Sequence, residues 1–307
     1  MPIPHRFLAA CQAGSTASPW RCGKLGRMHS RPPLDAQIPT GPVAVPDRVR
    51  ILSSGRPLVP VWVNGLGGLT FYDPGSGVAE EPGDAPARYI KWTAAGTPEV
   101  DLAEEAERTA WAASHGAAVP RVLAHGADEA GSWLVTAAIE AESAVSPRWI
   151  AEPASAALAI GAGLRILHDQ LPVAECPYSW EATERIAAFE ERVRCGERGG
   201  SWDPVHRGLS VAEARARLAD APEMDRAVVC HGDACAPNTL LTDGGRFAAH
   251  VDLGSLGVAD RWADLAVAAW SIDWNHGPGF DHLVYEGYGI DRDPERIAYY
   301  RLLWDLS

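Results

Sequence analysis

The chain has 307 residues, 47% hydrophobic and 22% charged, which suits one large domain or two modest lobes and excludes disorder along the whole length. A formal net charge of −13 argues against nucleic-acid and anionic-membrane partners and is compatible with a cationic small-molecule substrate, although acidity also serves plain solubility. The six cysteines form no CxxC pair, and no run approaches the ~18 consecutive apolar residues of a membrane helix, so a cytoplasmic protein with reduced thiols is expected.

Residues 1–27 carry Arg6, Arg21, Lys24 and Arg27 and no acid. The apolar run before Cys11, Phe7 to Ala10, is shorter than the about 7–15 residues of a signal-peptide core. Residues 1–46 are therefore expected to be a disordered extension and a Pro- and Gly-rich linker, with Met28 as an alternative start. Strands are expected over Leu58–Val63 and Leu69–Tyr72, joined by the glycine-rich tip Asn64-Gly65-Leu66-Gly67-Gly68. A third strand, Tyr89–Trp92, contains Lys91. A helix over Val100–His115 ends at Gly116 and is followed by extended Val119–Leu123 and strand Trp133–Thr136. Residues 47–138 thus form a compact α+β lobe. Residues 139–307, opening with a hinge and surface loop over 139–152, form a larger, mainly helical one. Its helices are expected over Ala154–Leu171, Val211–Leu218, Trp262–Asp273 and Pro294–Asp305, and Val228–Cys230 is a short buried strand.

The chemistry is concentrated in His231-Gly232-Asp233-Ala234-Cys235-Ala236-Pro237-Asn238 and in Asp252-Leu253-Gly254, fourteen residues beyond Asn238. Protein kinases space an HxD…N loop and a DxG segment in the same way. Phosphoryl transfer requires alignment and charge neutralisation more than covalent help from the protein. Asp233 suits the carboxylate that accepts the substrate hydroxyl's hydrogen bond. Asn238 and Asp252 are oxygen ligands of the kind Mg²⁺ prefers. The run Thr239–Leu241, Asp243-Gly244-Gly245, Phe247–Val251 reads as a hairpin that would bring Asn238 and Asp252 to one end of paired strands. Five polar positions in this spacing arise by chance in fewer than about one sequence in a hundred. Upstream, backbone N–H groups at Gly65, Gly67 and Gly68 could cradle phosphates, and Glu105 could orient Lys91 toward them. Each alone would be read as a surface turn or a solvated charge, and only their order raises them. No GxxxxGK[ST] motif is present, so a Walker-type ATPase is not supported.

Several segments resemble the aminoglycoside O-phosphotransferases. The most specific are Val229–Asp233, Pro237-Asn238 and Val251-Asp252-Leu253-Gly254-x-x-Gly257-x-Ala259-Asp260-Arg261-Trp262-Ala263-Asp264-Leu265-Ala266. Weaker matches lie at Glu105–Trp111, Val119–Val122, Cys176–Tyr178 and Ala298–Leu303. The resemblance implies an α+β, protein-kinase-like two-lobed fold. It also implies transfer of phosphate from ATP or GTP to a 3′ or 3″ hydroxyl of an aminoglycoside, with Mg²⁺ as cofactor and antibiotic resistance as the outcome. Carried over residue by residue, it makes Asp233 the catalytic aspartate, Asn238 and Asp252 the metal ligands, and Lys91 with Glu105 the phosphate-positioning pair. The segment Thr136–Ile139 becomes the purine-binding hinge. Family members hold the drug's ammonium groups with C-terminal acids, which points to Asp305 and Asp273, with Asp203 behind them. The chain departs from the pattern in its glycine-rich tip, at Ser255 where Arg is usual, and at Trp304-Asp305 where an acidic pair is usual. Kinases of the same fold for other small alcohols, and a catalytically inactive binding protein, are alternative readings. The intact Lys91, Asp233, Asn238 and Asp252 speak against the last. His168 is expected to pack or cap a helix, Asp260 and Asp264 to cap, and the tryptophans to be core, with Trp270 and Trp274 able to line the substrate cleft.

Overall fold

The computed structural model describes residue 39 and residues 41–76, 86–97 and 100–307. The extension expected over 1–27, Cys11, Cys22, Met28 and most of the linker lie outside the described residues. Val43 and Val45, at the end of the expected linker, pack against the small-lobe core.

The small lobe is an antiparallel sheet in the order β1-β2-β3-β5-β4, built from β1 (Val59–Val63), β2 (Leu69–Asp73), β3 (Arg88–Ala94), β4 (Val122–Ala127) and β5 (Gly131–Ala137). The period of two decides which face each residue of β3 serves. Ile90 joins Phe71, Val135 and Val49 in one buried cluster, Val49 coming from a short helix, α1 (Asp47–Leu52), that lacks a clear local signature. Lys91, paired with Thr70 on one side and Leu134 on the other, belongs to the opposite face, where Leu134 packs on Leu102 and Ala106 of α2 (Leu102–Ser114). Asp101 caps α2 by accepting the N–H groups of Ala103 and Glu104 at 2.9 and 3.0 Å.

The larger lobe is mainly helical. Two short elements, β6 (Glu142–Ser143) and α3 (Pro147–Ala151), occupy the expected loop, and α4 (Pro153–Gln170) follows as expected. Then come α5 (Ala182–Arg194), α6 (Val211–Ala219), β7 (Ala227–Cys230), β8 (Thr239–Leu241), β9 (Phe247–His250) and β10 (Gly257–Asp260). The lobe closes with α7 (Trp262–His276), α8 (His282–Tyr288) and α9 (Pro294–Leu306). From Trp262 to Ile272, α7 is buried on every side, the mark of a central core helix. Helix α4 crosses α8 closely, since a Cβ on Gly161 would stand 2.0 Å from the carbonyl of Val284. Trp149, Trp202, Trp262 and Trp304 are buried, so the tryptophans serve largely as core. Among the described residues, no helix is long and apolar enough to cross a membrane.

Two small sheets carry the motif. β7 pairs antiparallel with β10, and the hairpin β8–β9 extends to β6. The chain leaves β7 into His231 and leaves β9 into Asp252, so both functional segments start from the ends of held strands.

Candidate active site

Gly232 turns the chain after β7 with φ +82, and a Cβ there would lie 2.0 Å from the Ser255 carbonyl, so only glycine fits. The turn is fastened from below by Asp264, in the first turn of α7. Its Oδ2 accepts the N–H of His231 at 2.6 Å and its Oδ1 that of Gly232 at 2.9 Å. His168 Nε2 on α4 lies 2.9 Å from the same Oδ2, and its Nδ1 lies 3.0 Å from the Tyr288 hydroxyl. Burial alone would raise the Asp264 pKa, but His168, His231 and the backbone donors outweigh it and hold the carboxyl below its usual range. The expected capping role of Asp264 is therefore corrected: it organises the motif loop. His168, expected to pack or cap a helix, is buried between Asp264 and Tyr288, and Asp260, just ahead of the α7 N-cap Arg261, accepts the N–H groups of Trp262 at 3.0 Å and Asp225 at 2.6 Å.

His231 Nε2 lies 2.9 Å from the Val251 carbonyl, and its Nδ1 accepts the Asp233 N–H at 3.3 Å. Burial keeps this imidazole neutral, which suits one donating and one accepting nitrogen. It joins the motif loop to the residue before Asp252. Asp233 is buried with both oxygens engaged: Cys235 Sγ donates to Oδ1 at 3.2 Å and Asn238 Nδ2 to Oδ2 at 3.1 Å. Burial first, and the nearby charge of Asp252 second, push its pKa up to about 8, against smaller opposing effects of Cys235, Asn238 and Arg185. The Val251 N–H donates to the Asn238 carbonyl at 2.9 Å, so Asn238 and Asp252 meet at one end of the hairpin as the spacing implied. Asp252 has φ +64, a left-handed conformation that costs a non-glycine residue about 1–2 kcal/mol and commonly marks functional sites.

The small lobe contributes Lys91, whose Nζ lies 2.6 Å from Glu105 Oε1 and 3.0 Å from Asp252 Oδ1. Burial works to lower the lysine's pKa, but Asp252 and Glu105 reverse this and hold it charged. Glu105 is pushed upward by burial, partly offset by Lys91. Arg108, one turn further along α2, donates to the Gly254 carbonyl and lies over the Tyr178 ring at 5.1 Å, so α2 also holds the backbone just beyond Asp252 directly.

The glycine-rich tip is more self-contained than expected. Asn64 Oδ1 accepts the N–H of Leu66 at 3.0 Å and of Gly68 at 2.6 Å, and its carbonyl accepts that of Gly67 at 3.0 Å. The Gly67 and Gly68 N–H groups expected to face phosphates thus have partners inside the turn, which Gly67 closes with φ +86; Gly65 forms the crest of the same turn. In the hinge, Thr136 pairs with Tyr89 within the sheet, and the N–H groups of Ala137 and Ala138 go to Arg121 and Ala87. The Ile139 carbonyl accepts the Ala141 N–H.

The acids expected to hold a substrate divide. Asp305 faces inward: Oδ2 lies 2.7 Å from His206 Nδ1, and both oxygens accept the Asp203 N–H at 3.1 Å. This ties α9 to the loop before α6. Asp203 lies alongside, its carboxyl raised by burial and by Asp305. Asp273 is half-buried near the end of α7 and raised by burial and by Asp281. The Trp270 and Trp274 rings tilt against each other with centroids 4.5 Å apart and meet Trp304 at 6.3 and 5.8 Å, an aromatic wall beside Asp305. Of the groups not anticipated, Asp264, Cys235 and Arg108 matter most. Cys235 lay in plain view inside the motif, two residues from Asp233.

The family described as phosphotransferase enzyme family matches residues 84–300. An aminoglycoside 3′-phosphotransferase of Streptomyces fradiae is 37% identical over 220 residues, 66% of this chain and 78% of that protein. The crystal structure of aminoglycoside-3′-phosphotransferase of type VIII superposes with TM-score 0.69 at 28% identity, covering 85% of this chain and 98% of the other. The aminoglycoside phosphotransferase APH(3'')-Id from Streptomyces rimosus, in complex with ADP and streptomycin, superposes with TM-score 0.63 at 25% identity over 85% and 97%. The two-lobed protein-kinase-like architecture, the converging charged groups and these matches give one conclusion: the chain belongs to the phosphotransferase enzyme family.

Proposed function

We propose that the chain phosphorylates an aminoglycoside on a 3′ or 3″ hydroxyl, with ATP or GTP as donor, and so confers resistance to the drug. One observation carries the reading: Asp233, Asn238, Asp252 and Lys91, dispersed over 162 residue numbers, meet where the two lobes face each other. In this reading the Asp233 carboxylate accepts the hydrogen bond, and then the proton, of the acceptor hydroxyl. The hydroxyl oxygen bonds to the γ-phosphorus as the bond to the bridging oxygen breaks, and the nucleoside diphosphate departs. Lys91, oriented by Glu105, neutralises phosphate oxygens, and the Thr136–Ile139 backbone receives the purine. Asn238 and Asp252 would hold Mg²⁺. The fit is chemical: the donors are hard oxygens, and Asp252 is close enough to raise the Asp233 pKa. When bound, the cation supplies charge neutralisation at the phosphates.

A cationic acceptor agrees with the net charge of −13 and with the half-buried Asp273 and Asp203. The cytoplasm, where nucleoside triphosphates are available, is the compartment this reading implies. The test offers the purified protein Mg²⁺, ATP or GTP, and a panel that includes kanamycin and streptomycin, and follows nucleotide turnover. Acceptor-dependent turnover is expected, and Asp233→Ala should lower kcat by about 10²–10⁴-fold with folding intact. Turnover on none of the panel removes the aminoglycoside. Undiminished kcat in Asp233→Ala removes the mechanism.

A further inference from the structure

We propose that Cys235 is a positioning residue for Asp233: its thiol holds one carboxylate oxygen while the Asn238 amide holds the other, fixing the carboxylate plane before the acceptor arrives. The inference rests on the reading of Asp233 as the group that receives the hydroxyl proton. A carboxylate on a two-torsion side chain has its plane free unless both oxygens are engaged. Here Cys235 Sγ lies 3.2 Å from Oδ1 and Asn238 Nδ2 lies 3.1 Å from Oδ2.

Both donors come from a single turn. Cys235 precedes the 3₁₀ turn Ala236–Asn238, its carbonyl accepts the Asn238 N–H at 2.9 Å, and Pro237 stiffens the turn. The turn is in turn fastened to α7, since Ser271 Oγ accepts the Ala236 N–H at 2.9 Å. Cys235 and Ser271 are both fully buried, so water does not compete for the thiol or loosen the anchor. A thiol is a weak donor. Its hold on Oδ1 is therefore modest, enough to bias the carboxylate's orientation alongside the Asn238 amide.

The test compares Cys235→Ala and Cys235→Ser in the full chain, with Mg²⁺, ATP and whichever of kanamycin or streptomycin is turned over. Thermal unfolding of each variant is recorded alongside. Cys235→Ala is expected to lower kcat about three- to tenfold, the scale of one modest hydrogen bond, with KM for nucleotide and drug within about twofold. Cys235→Ser, which restores a donor, should bring kcat back to within about twofold of the parent even where its unfolding temperature matches that of the alanine variant. The proposal is overturned by an unchanged kcat in Cys235→Ala, by a serine variant as slow as the alanine variant, or by a loss expressed in KM. Asp233→Ala, assayed in parallel, separates the two levels. If it is inactive while Cys235→Ala is unaffected, only the thiol's role fails; if it is fully active, the reading of Asp233 itself fails.

Discussion

Asp73 in the small lobe and Asp264 in the large one are both fully buried, and they are satisfied by different means. In the small lobe, Asp73 receives Arg56 at 2.7 and 3.1 Å, Arg88 at 3.0 Å and the Gly75 N–H at 3.0 Å. In the large lobe, Asp264 receives two backbone N–H groups of the motif loop and the His168 ring. Both side chains are withdrawn from water. The arginines of Asp73 are themselves partly exposed and tie β2 to β3 and to the segment after α1. The donors of Asp264 are backbone atoms adjoining Asp233. A buried carboxylate paired with guanidinium groups thus stabilises a lobe, whereas one paired with loop amides also sets where a reactive group stands.

Removing Asp264 should break that comparison most severely. Asp264→Ala leaves two buried N–H groups and a buried imidazole without their acceptor, and such losses cost about 3–5 kcal/mol. Thermal unfolding should fall by about 10 °C for a chain of this size. The kcat of the protein that remains folded should fall with it, because Gly232 and Asp233 lose their anchor. A variant with the parent's unfolding temperature and kcat would show that the loop is positioned by its other ties.

Asp73→Ala should cost less, about 2–3 kcal/mol, because Arg56 and Arg88 can turn to water. Its kcat should stay within about twofold of the parent, and a large fall would abolish the contrast between the lobes. The same residue gives a pH test. Burial would raise its carboxyl, but Arg56, the Gly75 N–H and Arg88 lower it to about 2. A pKa lowered on folding contributes stability in full above the unfolded value, near 4, and that contribution is lost as pH falls through 4 toward 2. The amount is about 2 kcal/mol. Denaturant unfolding between pH 5 and 2 should therefore show a steeper loss in the parent than in Asp73→Asn, and parallel curves would refute the assignment.

The readable parts of this molecule are those whose information is local. The five-residue step from Asp233 to Asn238, the hairpin leading to Asp252, and Lys91 on a strand ahead of a Glu-bearing helix are all patterns in one stretch of chain. Their meeting follows from the fold they resemble. Asp264 has its partners 32 and 33 residues earlier, so near its own helix start it looks like any capping acid. The partner of Asp305, His206, lies 99 residues earlier, and no pattern near the chain's end reveals it. Helix α5 escaped notice because only Arg185 and Phe189 along it are buried, which leaves little apolar period to read. β10 is four residues long and exists through its pairing with β7.

The smallest effect should come from the second tie between the motif loop and α7. Ser271 Oγ accepts the Ala236 N–H at 2.9 Å, and Asn275 Nδ2 reaches the same oxygen at 3.1 Å. Ser271→Ala removes one buried acceptor and should cost about 1–2 kcal/mol. Asp264 still holds Gly232, so Asp233 keeps its backbone position while the turn that carries Cys235 and Asn238 is loosened. The expected kinetic signature is a fall in kcat of a few-fold at most, clearly below that of Asp264→Ala. Equal losses in the two variants would mean that the turn, not the glycine bend, sets the carboxylate, and the weight given to Asp264 in the comparison would pass to Ser271.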